Sequence, residues 1–148
     1  MEWTQGSFVV SDDKSRLQLD VIHGFLTRAY WSKGIPRALV AKSIENSRIC
    51  LGAFDGQSQV GFARAITDEA TYAYLGDVFV LESHQGRGLG KFLMSCVHAH
   101  PGLQNLRRWS LLTRDAHGLY APFGWKPVTD AGRYMEIHDP DIYVLARP

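Results

Sequence analysis

LESHQGRGLGKFLM, residues 81–94, is a glycine-rich segment that runs directly into an apolar, helix-like segment. A strand-like run, DVFV at 77–80, precedes it, so the order predicts a strand, a tight loop and a helix. The first N–H groups of a helix have no partner within the helix and can bind an anion. Glycines at 86, 88 and 90 would let a phosphate approach the backbone, because they carry no Cβ. Taken alone, the segment fits a tight turn with solvated basic side chains better than it fits an anion site.

Two familiar nucleotide motifs do not fit this segment. A P-loop needs glycine five residues before Gly90, where Gln85 stands, and Ser or Thr after Lys91, where Phe92 stands. A dinucleotide fingerprint needs glycine at 91 or 93, and the latter position is Leu93. A nucleotide-binding domain is therefore disfavoured.

Composition and charge exclude other classes. The 148 residues suit one domain, 45% of them are apolar, and the formal net charge is +1 with no run of five like charges. No electrostatic footprint for nucleic acid or a membrane surface is present. Cys50 and Cys96 each lie in an apolar stretch, which favours a reducing compartment over disulfides. Without a signal-like N-terminus or an eighteen-residue apolar run, we expect a cytoplasmic protein.

The hydrophobic periodicity predicts the order β, α, α, β, β, β, α, β, α, β. The predicted strands cover residues 6–11, 49–54, 59–67, 71–81, 107–113 and 134–138, and the predicted helices cover 17–30, 37–46, 91–100 and 117–124. Such an order indicates an α/β or α+β domain with one mixed sheet covered by helices.

The segment Gln85-x-x-Gly88-x-Gly90, following a strand and opening a helix, resembles the acyl-CoA signature of the GNAT N-acetyltransferase superfamily. HGLYAPFGW at 117–125 and the order of elements resemble the same superfamily over nearly the whole chain. YWSKGIP, FARAITD and TRDAHGLY resemble small bacterial members. The resemblance implies a single GNAT domain over residues 1–148, with a mixed, mostly antiparallel central sheet flanked by helices.

The resemblance also implies acetyl-CoA as cosubstrate, and no metal. The strand at 78–80 would pair with the pantetheine arm, and a backbone N–H near Phe79 would polarise the thioester carbonyl. The loop N–H groups would hold the pyrophosphate. The residues expected to bind the cofactor are Val78, Phe79, Val80, Gln85, Gly86, Arg87, Gly88, Leu89, Gly90, Lys91 and Asp115.

Tyr120 matches the family's general acid, which protonates the departing thiolate; the alternative is a packed helix residue. The acceptor amine would attack directly, without a cysteine nucleophile. Asp77 is the favoured general base, although it could instead organise the strand. Three further groups stay open as bases: Glu82, Asp115 and His117.

Acceptor selection is expected at the connection between the first two helices. Tyr30, Trp31 and Ser32 would form a substrate wall, or else pack at the helix end. Arg64 and Arg114 could bind an acceptor carboxylate. The pair His98-x-His100 does not share a helix face and has no third ligand, so a zinc site is not expected.

The sequence therefore predicts an acetyl-CoA-dependent N-acetyltransferase that acts on an amine of a small molecule or an exposed protein residue. The alternative is a non-catalytic acyl-CoA-binding or sensing module of the same fold. Nucleic-acid and membrane partners are not expected. A homodimer is an option, because superfamily members pair through exposed strands or C-terminal segments such as DPDIYVL at 139–145.

Overall fold

The computed structural model describes residues 1–144. Six strands form one sheet in the order of the sequence, and all neighbours are antiparallel except the last pair. This arrangement confirms the predicted mixed, mostly antiparallel sheet. The strands are β1 Glu2–Gln5, β2 Phe8–Ser11, β3 Ile49–Asp55, β4 Ser58–Thr67, β5 Tyr72–Val80 and β6 Arg108–Ser110.

Helices cover both faces of the sheet. The described α-helices are α1 Leu19–Leu26, α2 Arg37–Asn46, α3 Leu89–Ala99 and α4 His117–Tyr120. On one face, α3 places Leu93, Met94 and Val97 in a core with side chains of β2 to β5. On the other face, α1 and α2 enclose Phe62 and Phe79 in a second core. Each fully buried large apolar side chain stabilises the fold by about 1.5–3 kcal/mol.

The sheet begins earlier than the sequence indicated. Residues 2–5 form β1, which pairs with β2 through a turn where Gly6 has φ 59°. The prediction placed the first strand at 6–11, whereas β2 begins at Phe8. β1 lies at the edge of the sheet and is mostly exposed, so it lacks the apolar alternation that marks a half-buried strand.

Other predictions of elements and their bounds were also wrong: α1 begins at Leu19 and not at 17, α3 covers Leu89–Ala99 and not 91–100, and α4 ends at Tyr120 and not at 124. The first helix ends at Leu26 and not at 30, because the chain turns there: Ser32 Oγ donates to the Leu26 carbonyl at 2.7 Å. β6 has three residues where seven were predicted. The predicted strand at 134–138 is extended chain without strand pairing, and Met135 and Ile137 are almost fully exposed.

A bulge interrupts β5 in the middle of the sheet. Phe62 pairs with Phe79 and Arg64 with Gly76, so two residues of β5, 77 and 78, face one residue of β4. The first of them, Asp77, has φ 53°, the left-handed conformation found in one class of bulge.

On the side that faces away from β4, β5 pairs with another described strand over only part of its length. Pairing between β5 and β6 covers only Tyr72–Tyr74 with Arg108–Ser110, although β5 continues to Val80. Within residues 1–144, the edge of β5 from 75 to 80 that faces away from β4 is thus unpaired. A second extended chain could hydrogen-bond there.

Candidate active site

The glycine-rich loop lies at the end of the unpaired edge and opens α3. Gly86 and Gly88 have φ 76° and 79°, a region that favours glycine, and a Cβ at either would meet nothing within 4 Å. The first hydrogen bond of α3 runs from the Phe92 N–H to the Gly88 carbonyl at 3.0 Å. The preceding N–H groups have no helical acceptor and the helix has no side-chain cap, so these donors and the positive end of the helix dipole are available to an anion.

The side chains of the loop make different contacts. Gln85 Nε2 donates to the Val80 carbonyl at 3.0 Å, which ties the loop to β5. The backbone N–H of Gln85 already donates to the Glu82 carbonyl at 3.3 Å, so the free donors begin at residue 86. The Arg87 guanidinium lies 4.8 Å from the centre of the Phe8 ring, and Lys91 is exposed.

The strand at 78–80 is anchored through Phe79. Its ring is buried and stacks on Phe25, with centroids 4.0 Å apart and planes 9° apart. Val78 and Val80 are partly buried against the other core. The side chains therefore hold the strand while its backbone edge stays available for pairing.

Asp77, at the bulge, accepts hydrogen bonds at both carboxylate oxygens. Arg64 lies 2.9 Å from Oδ2 through both Nε and Nη2, and the indole Nε1 of Trp31 lies 2.9 Å from Oδ1. Arg64 also donates to Ser47 Oγ at 3.0 Å. With side-chain exposures of 16% for Arg64 and 12% for Asp77, the ion pair is largely shielded from solvent. A left-handed backbone costs a non-glycine residue about 1–2 kcal/mol, and these contacts hold Asp77 in it.

Tyr30 joins the turn after α1 to the segment after β6. The Arg114 backbone N–H donates to the Tyr30 hydroxyl at 3.0 Å, and the Arg114 guanidinium lies 3.8 Å from the centre of the Tyr30 ring. Tyr30 and Trp31 meet edge to face at 5.1 Å, and both are partly exposed. Ser32 is buried and bonds within the turn.

Tyr120, on α4, has a buried ring and an available hydroxyl. Burial raises the pKa of this phenol to about 12, and the charges of Tyr30, Asp115 and Tyr74 add to the effect. The Tyr120 hydroxyl has no hydrogen-bond partner among residues 1–144. Every fully buried side-chain N or O atom in that range has a partner, so this hydroxyl is not fully buried. It therefore reaches accessible space, protonated and free to donate. Asp115 is exposed nearby.

Tyr74 belongs to this region and was not predicted. A Cβ built on Gly76 would lie 3.0 Å from Tyr74 Cε1, so the ring leans along β5 toward Asp77. Burial raises the pKa of Tyr74, followed by the charge of Asp77. In the sequence Tyr74 looks like an ordinary strand aromatic, and only its position beside Gly76 could have indicated it.

The candidate site thus has two parts, which meet along β5. We call residues 78–91 the donor end. The acceptor end is formed by Tyr30, Trp31, Arg64, Tyr74, Asp77, Arg114 and Tyr120. Of the alternative bases, Glu82 and His117 are exposed and make no contact with the acceptor-end carboxylate.

Other chemistry has little support in the described residues. Burial raises the pKa of the Cys50 and Cys96 thiols to about 11, so neither is a ready nucleophile. Within residues 1–144 no group of three or more His, Cys, Asp or Glu side chains could hold a metal ion. None of the helices in that range has the length and apolar character needed to cross a membrane.

Comparison with known proteins identifies similar sequences and structures. The family model described as the acetyltransferase (GNAT) domain matches residues 45–127. A Gibberella zeae protein that carries an acetyltransferase name is 33% identical over 139 residues, covering 80% of this chain and 78% of that protein.

Solved structures show the same fold. A GNAT-family acetyltransferase of Xanthomonas campestris pv. campestris is 49% identical, with a TM-score of 0.91 over 96% of this chain and all of that chain. An acetyltransferase of Clostridium acetobutylicum, solved with acetyl-CoA, shares the fold at 11% identity, with a TM-score of 0.64 over 88% of this chain and 94% of that chain. The chain therefore belongs to the GNAT family of acetyltransferases, enzymes of the acyltransferase class.

Proposed function

We propose that this chain transfers the acetyl group of acetyl-CoA directly to an amine of a small molecule or an exposed protein residue. The observation that carries the proposal is the edge of β5 that no strand within residues 1–144 pairs with, which has the free loop N–H groups at one end. The Tyr120 hydroxyl, which no group in the same range bonds, belongs to the same candidate site. A solved structure supports the donor at the level of fold, since the Clostridium acetobutylicum protein that shares this fold was solved with acetyl-CoA.

The donor would bind along β5. Its pyrophosphate accepts from the N–H groups of residues 86–91, helped by Arg87 and Lys91 at the rim. Its pantetheine arm pairs with the backbone of residues 78–80, and an N–H near Phe79 donates to the thioester carbonyl. Asp115 is exposed and close enough to Tyr120 for its charge to act on that phenol, so it would lie near the thiol end of the donor. The bulge fits this role because it re-aims backbone groups of β5 away from β4.

The reaction would be a direct displacement. The amine nitrogen forms a bond to the carbonyl carbon, the C–S bond breaks, and the Tyr120 phenol gives its proton to the sulfur. With a thiol pKa of about 8.5, the thiolate is already a fair leaving group, so this acid speeds the reaction without being indispensable.

The amine must lose a proton before or during the attack. For a lysine-like amine with a pKa of about 10.4, deprotonation at pH 7 costs roughly 4.6 kcal/mol. Asp77 is the proposed acceptor of this proton through Oδ1, where it now receives the Trp31 indole N–H. The Arg64 guanidinium bonds Asp77 Oδ2, so we assign Arg64 the role of positioning this carboxylate. Arg114, which lies against the Tyr30 ring, is then the candidate for binding a carboxylate of the acceptor. A pH–rate profile of Asp77→Asn that keeps the wild-type acidic limb would exclude Asp77 as the base.

The test is free-thiol release from acetyl-CoA across a panel of amines, together with calorimetric titration of acetyl-CoA. We expect saturable binding and amine-dependent thiol release. Binding without turnover on any amine would favour the non-catalytic acyl-CoA sensor. Absence of binding would contradict the acyltransferase and the sensor alike.

Three wider expectations accompany this function. The domain spans residues 1–148, it works in the cytoplasm, and it pairs with a second copy through its C-terminal segment. The tail residues Met135 and Ile137 support pairing because they expose apolar surface. The segment 139–145 extends beyond the described residues at its last position. Light scattering of wild type and of a chain truncated after residue 133 would test the pairing.

A further inference from the structure

The loop that opens α3 is tied to β3 by a histidine. His84 ends a short helical turn, Glu82–His84, which joins β5 to the glycine-rich loop. Its Nε2 lies 3.1 Å from Asp55 Oδ2, and its Nδ1 lies 2.7 Å from Ser83 Oγ. Because Nε2 faces a carboxylate, it carries a hydrogen, and the Ser83 hydroxyl donates to Nδ1 of the neutral ring. Both ring nitrogens are thus hydrogen-bonded, which fixes the orientation of the imidazole.

Phe8, on β2, lies beneath the same loop. It pairs with Asp55 in the β2–β3 register, so the two residues lie at the same end of the sheet. The Phe8 ring meets the His84 ring edge to face, with centroids 6.3 Å apart, and the Arg87 guanidinium lies 4.8 Å from the centre of the Phe8 ring. One buried ring therefore supports two side chains of the loop.

These contacts matter because the loop is proposed to bind through its backbone. N–H groups that already point together bind an anion more tightly than groups that must first be ordered. Gly86 and Gly88 give the loop its left-handed conformation but also leave it free to adopt others. His84 and Arg87 lie on either side of Gly86, so fixing their side chains limits this freedom. Within residues 1–144 Arg87 makes no ion pair, so its charge is available to a phosphate.

We propose that Asp55, His84 and Phe8 are positioning residues for the donor. They hold the glycine-rich loop and Arg87 in the conformation that accepts the pyrophosphate of acetyl-CoA. This inference rests on the proposed function and extends it to residues of β2 and β3 that have no assigned contact with the donor. Their loss should weaken donor binding and leave kcat at saturating donor, and KM for the amine, unchanged.

A second pair of histidine and aspartate supplies a matched control. His100 Nε2 lies 3.1 Å from Asp12 Oδ2, the same distance as in the pair of His84 with Asp55. The side-chain exposures are similar, at 11% and 26% for His100 and Asp12 against 18% and 35% for His84 and Asp55. His100 follows the last residue of α3, whereas the loop precedes the first, so the 11 residues of the helix separate them.

The experiment compares Asp55→Asn and His84→Gln with His100→Gln, by calorimetric titration of acetyl-CoA and by urea denaturation. Asparagine is tolerated beside a turn as well as aspartate is, so Asp55→Asn removes the charge and keeps the hairpin. We expect the dissociation constant to rise about 5-fold in the first two variants, as loss of one partly exposed charged hydrogen bond can produce. His100→Gln should leave it unchanged, although the fold loses at least as much stability, because His100 also accepts the Gly102 N–H at 3.0 Å.

Phe8 is tested through Arg87. Phe8→Leu removes the ring beneath the guanidinium and keeps an apolar side chain in the core. We expect it to weaken acetyl-CoA binding, and to weaken it less when it is added to Arg87→Ala. An equal loss in the two backgrounds would overturn the assignment of Phe8.

The double variant Asp55→Asn/His84→Gln tests whether these two residues act as a pair. Its dissociation constant should match that of the single variants, because either change already removes the shared hydrogen bond. Multiplied effects in the double variant, an equal loss of affinity in His100→Gln, or unchanged affinity in the single variants would overturn the inference. Failure of wild type to bind acetyl-CoA would instead remove the proposed function, and the inference with it.

Discussion

The donor end and the acceptor end lie on the same strand but are built in different ways. The donor end, residues 78–91, is continuous in sequence, and the anion binding proposed for it depends on local backbone conformation at Gly86 and Gly88. The acceptor end assembles side chains from the turn after α1, from β4 and β5, and from the segment after β6. The donor end therefore depends on which residues are neighbours in the sequence, whereas the acceptor end depends on the whole fold.

The difference has an energetic consequence. Free N–H groups and left-handed glycines are features of one loop, so a change there should alter cofactor affinity more than global stability. At the acceptor end, the contacts that shape the site also join separate elements of the domain. Substitutions there should change stability and catalysis together. The four predictions below test this contrast.

The largest expected effect comes from breaking the ion pair at the bulge. Asp77→Asn keeps the shape of the side chain and its tolerance of a left-handed backbone but leaves Arg64 without its counter-charge. We expect the free energy of unfolding to fall by about 3 kcal/mol, the lower end for a buried pair, since both groups keep slight exposure. Urea denaturation measures the change.

The matched control is Asp20→Asn. Asp20 pairs with Arg37 at 2.9 Å, but the two side chains are 87% and 55% exposed. Its loss should change the free energy of unfolding by less than about 1 kcal/mol. Equal destabilisation by the two variants would show that the bulge is not specifically held by this pair.

The second prediction separates chemistry from binding at the acceptor end. Tyr120→Phe should lower kcat by up to about 100-fold, because the thiolate then leaves without a proton donor. The acetyl-CoA dissociation constant should stay within about twofold of wild type. Steady-state kinetics and calorimetry measure the two quantities, with Tyr134→Phe as a control that should behave like wild type. Unchanged turnover, with chemistry shown to be rate-limiting, would remove Tyr120 from the mechanism.

The third prediction concerns the donor end. Gly88→Ala places a Cβ on a residue with φ 79°, which introduces strain of about 1–2 kcal/mol. If the loop relaxes to relieve it, acetyl-CoA affinity should fall about 10-fold, while KM for the amine at saturating donor stays the same.

Gly24→Ala is the control for this substitution. Gly24 lies within α1, and a Cβ there would meet nothing within 4 Å. Alanine should raise the free energy of unfolding by about 0.5–1 kcal/mol and leave donor affinity unchanged. A loss of acetyl-CoA affinity in this variant as large as in Gly88→Ala would show that the loop is not the binding element.

The smallest expected effect concerns the pH dependence of kcat/KM, in which Tyr120 should cause no alkaline fall in the ordinary range. Because burial raises the pKa of Tyr120 to about 12, the phenol keeps its proton well above the ordinary value of about 10. Deprotonation of this acid should therefore cause no fall in kcat/KM below about pH 10. An alkaline fall below that pH that disappears in Tyr120→Phe would contradict the assignment.

Several features could be predicted from the sequence because their causes are local. The periodicity of 37–46 predicted α2 with its observed bounds, and the spacing of glycines predicted the loop and a helix after it, although α3 begins at Leu89 and not at 91. The edge strand β1 could not be found, because its exposed side chains carry no apolar alternation. The opposite error occurred at 134–138, where an apolar alternation exists but no strand lies beside it to pair.

The residue types of the acceptor end were visible in the sequence, but their relations were not. Tyr30, Trp31, Asp77 and Arg114 were named as candidates, yet nothing in their spacing indicated that Trp31 and Arg64 share one carboxylate. Tyr74 was missed because its role depends on the absence of a side chain at Gly76.

By itself, then, the sequence determined the family, the positions of most helices and strands, and the glycine-rich loop between β5 and α3. The helices, the strands and the loop follow from residues close together in the chain, through backbone preferences and periodicity, and the family follows from short motifs at 85–90 and 117–125. The tertiary structure alone decided the bulge at Asp77, the contacts of Asp77 with Arg64 and Trp31, and the edge of β5 that is unpaired within residues 1–144. These depend on which strands pair, and where pairing stops, and such contacts join residues that are distant in the chain.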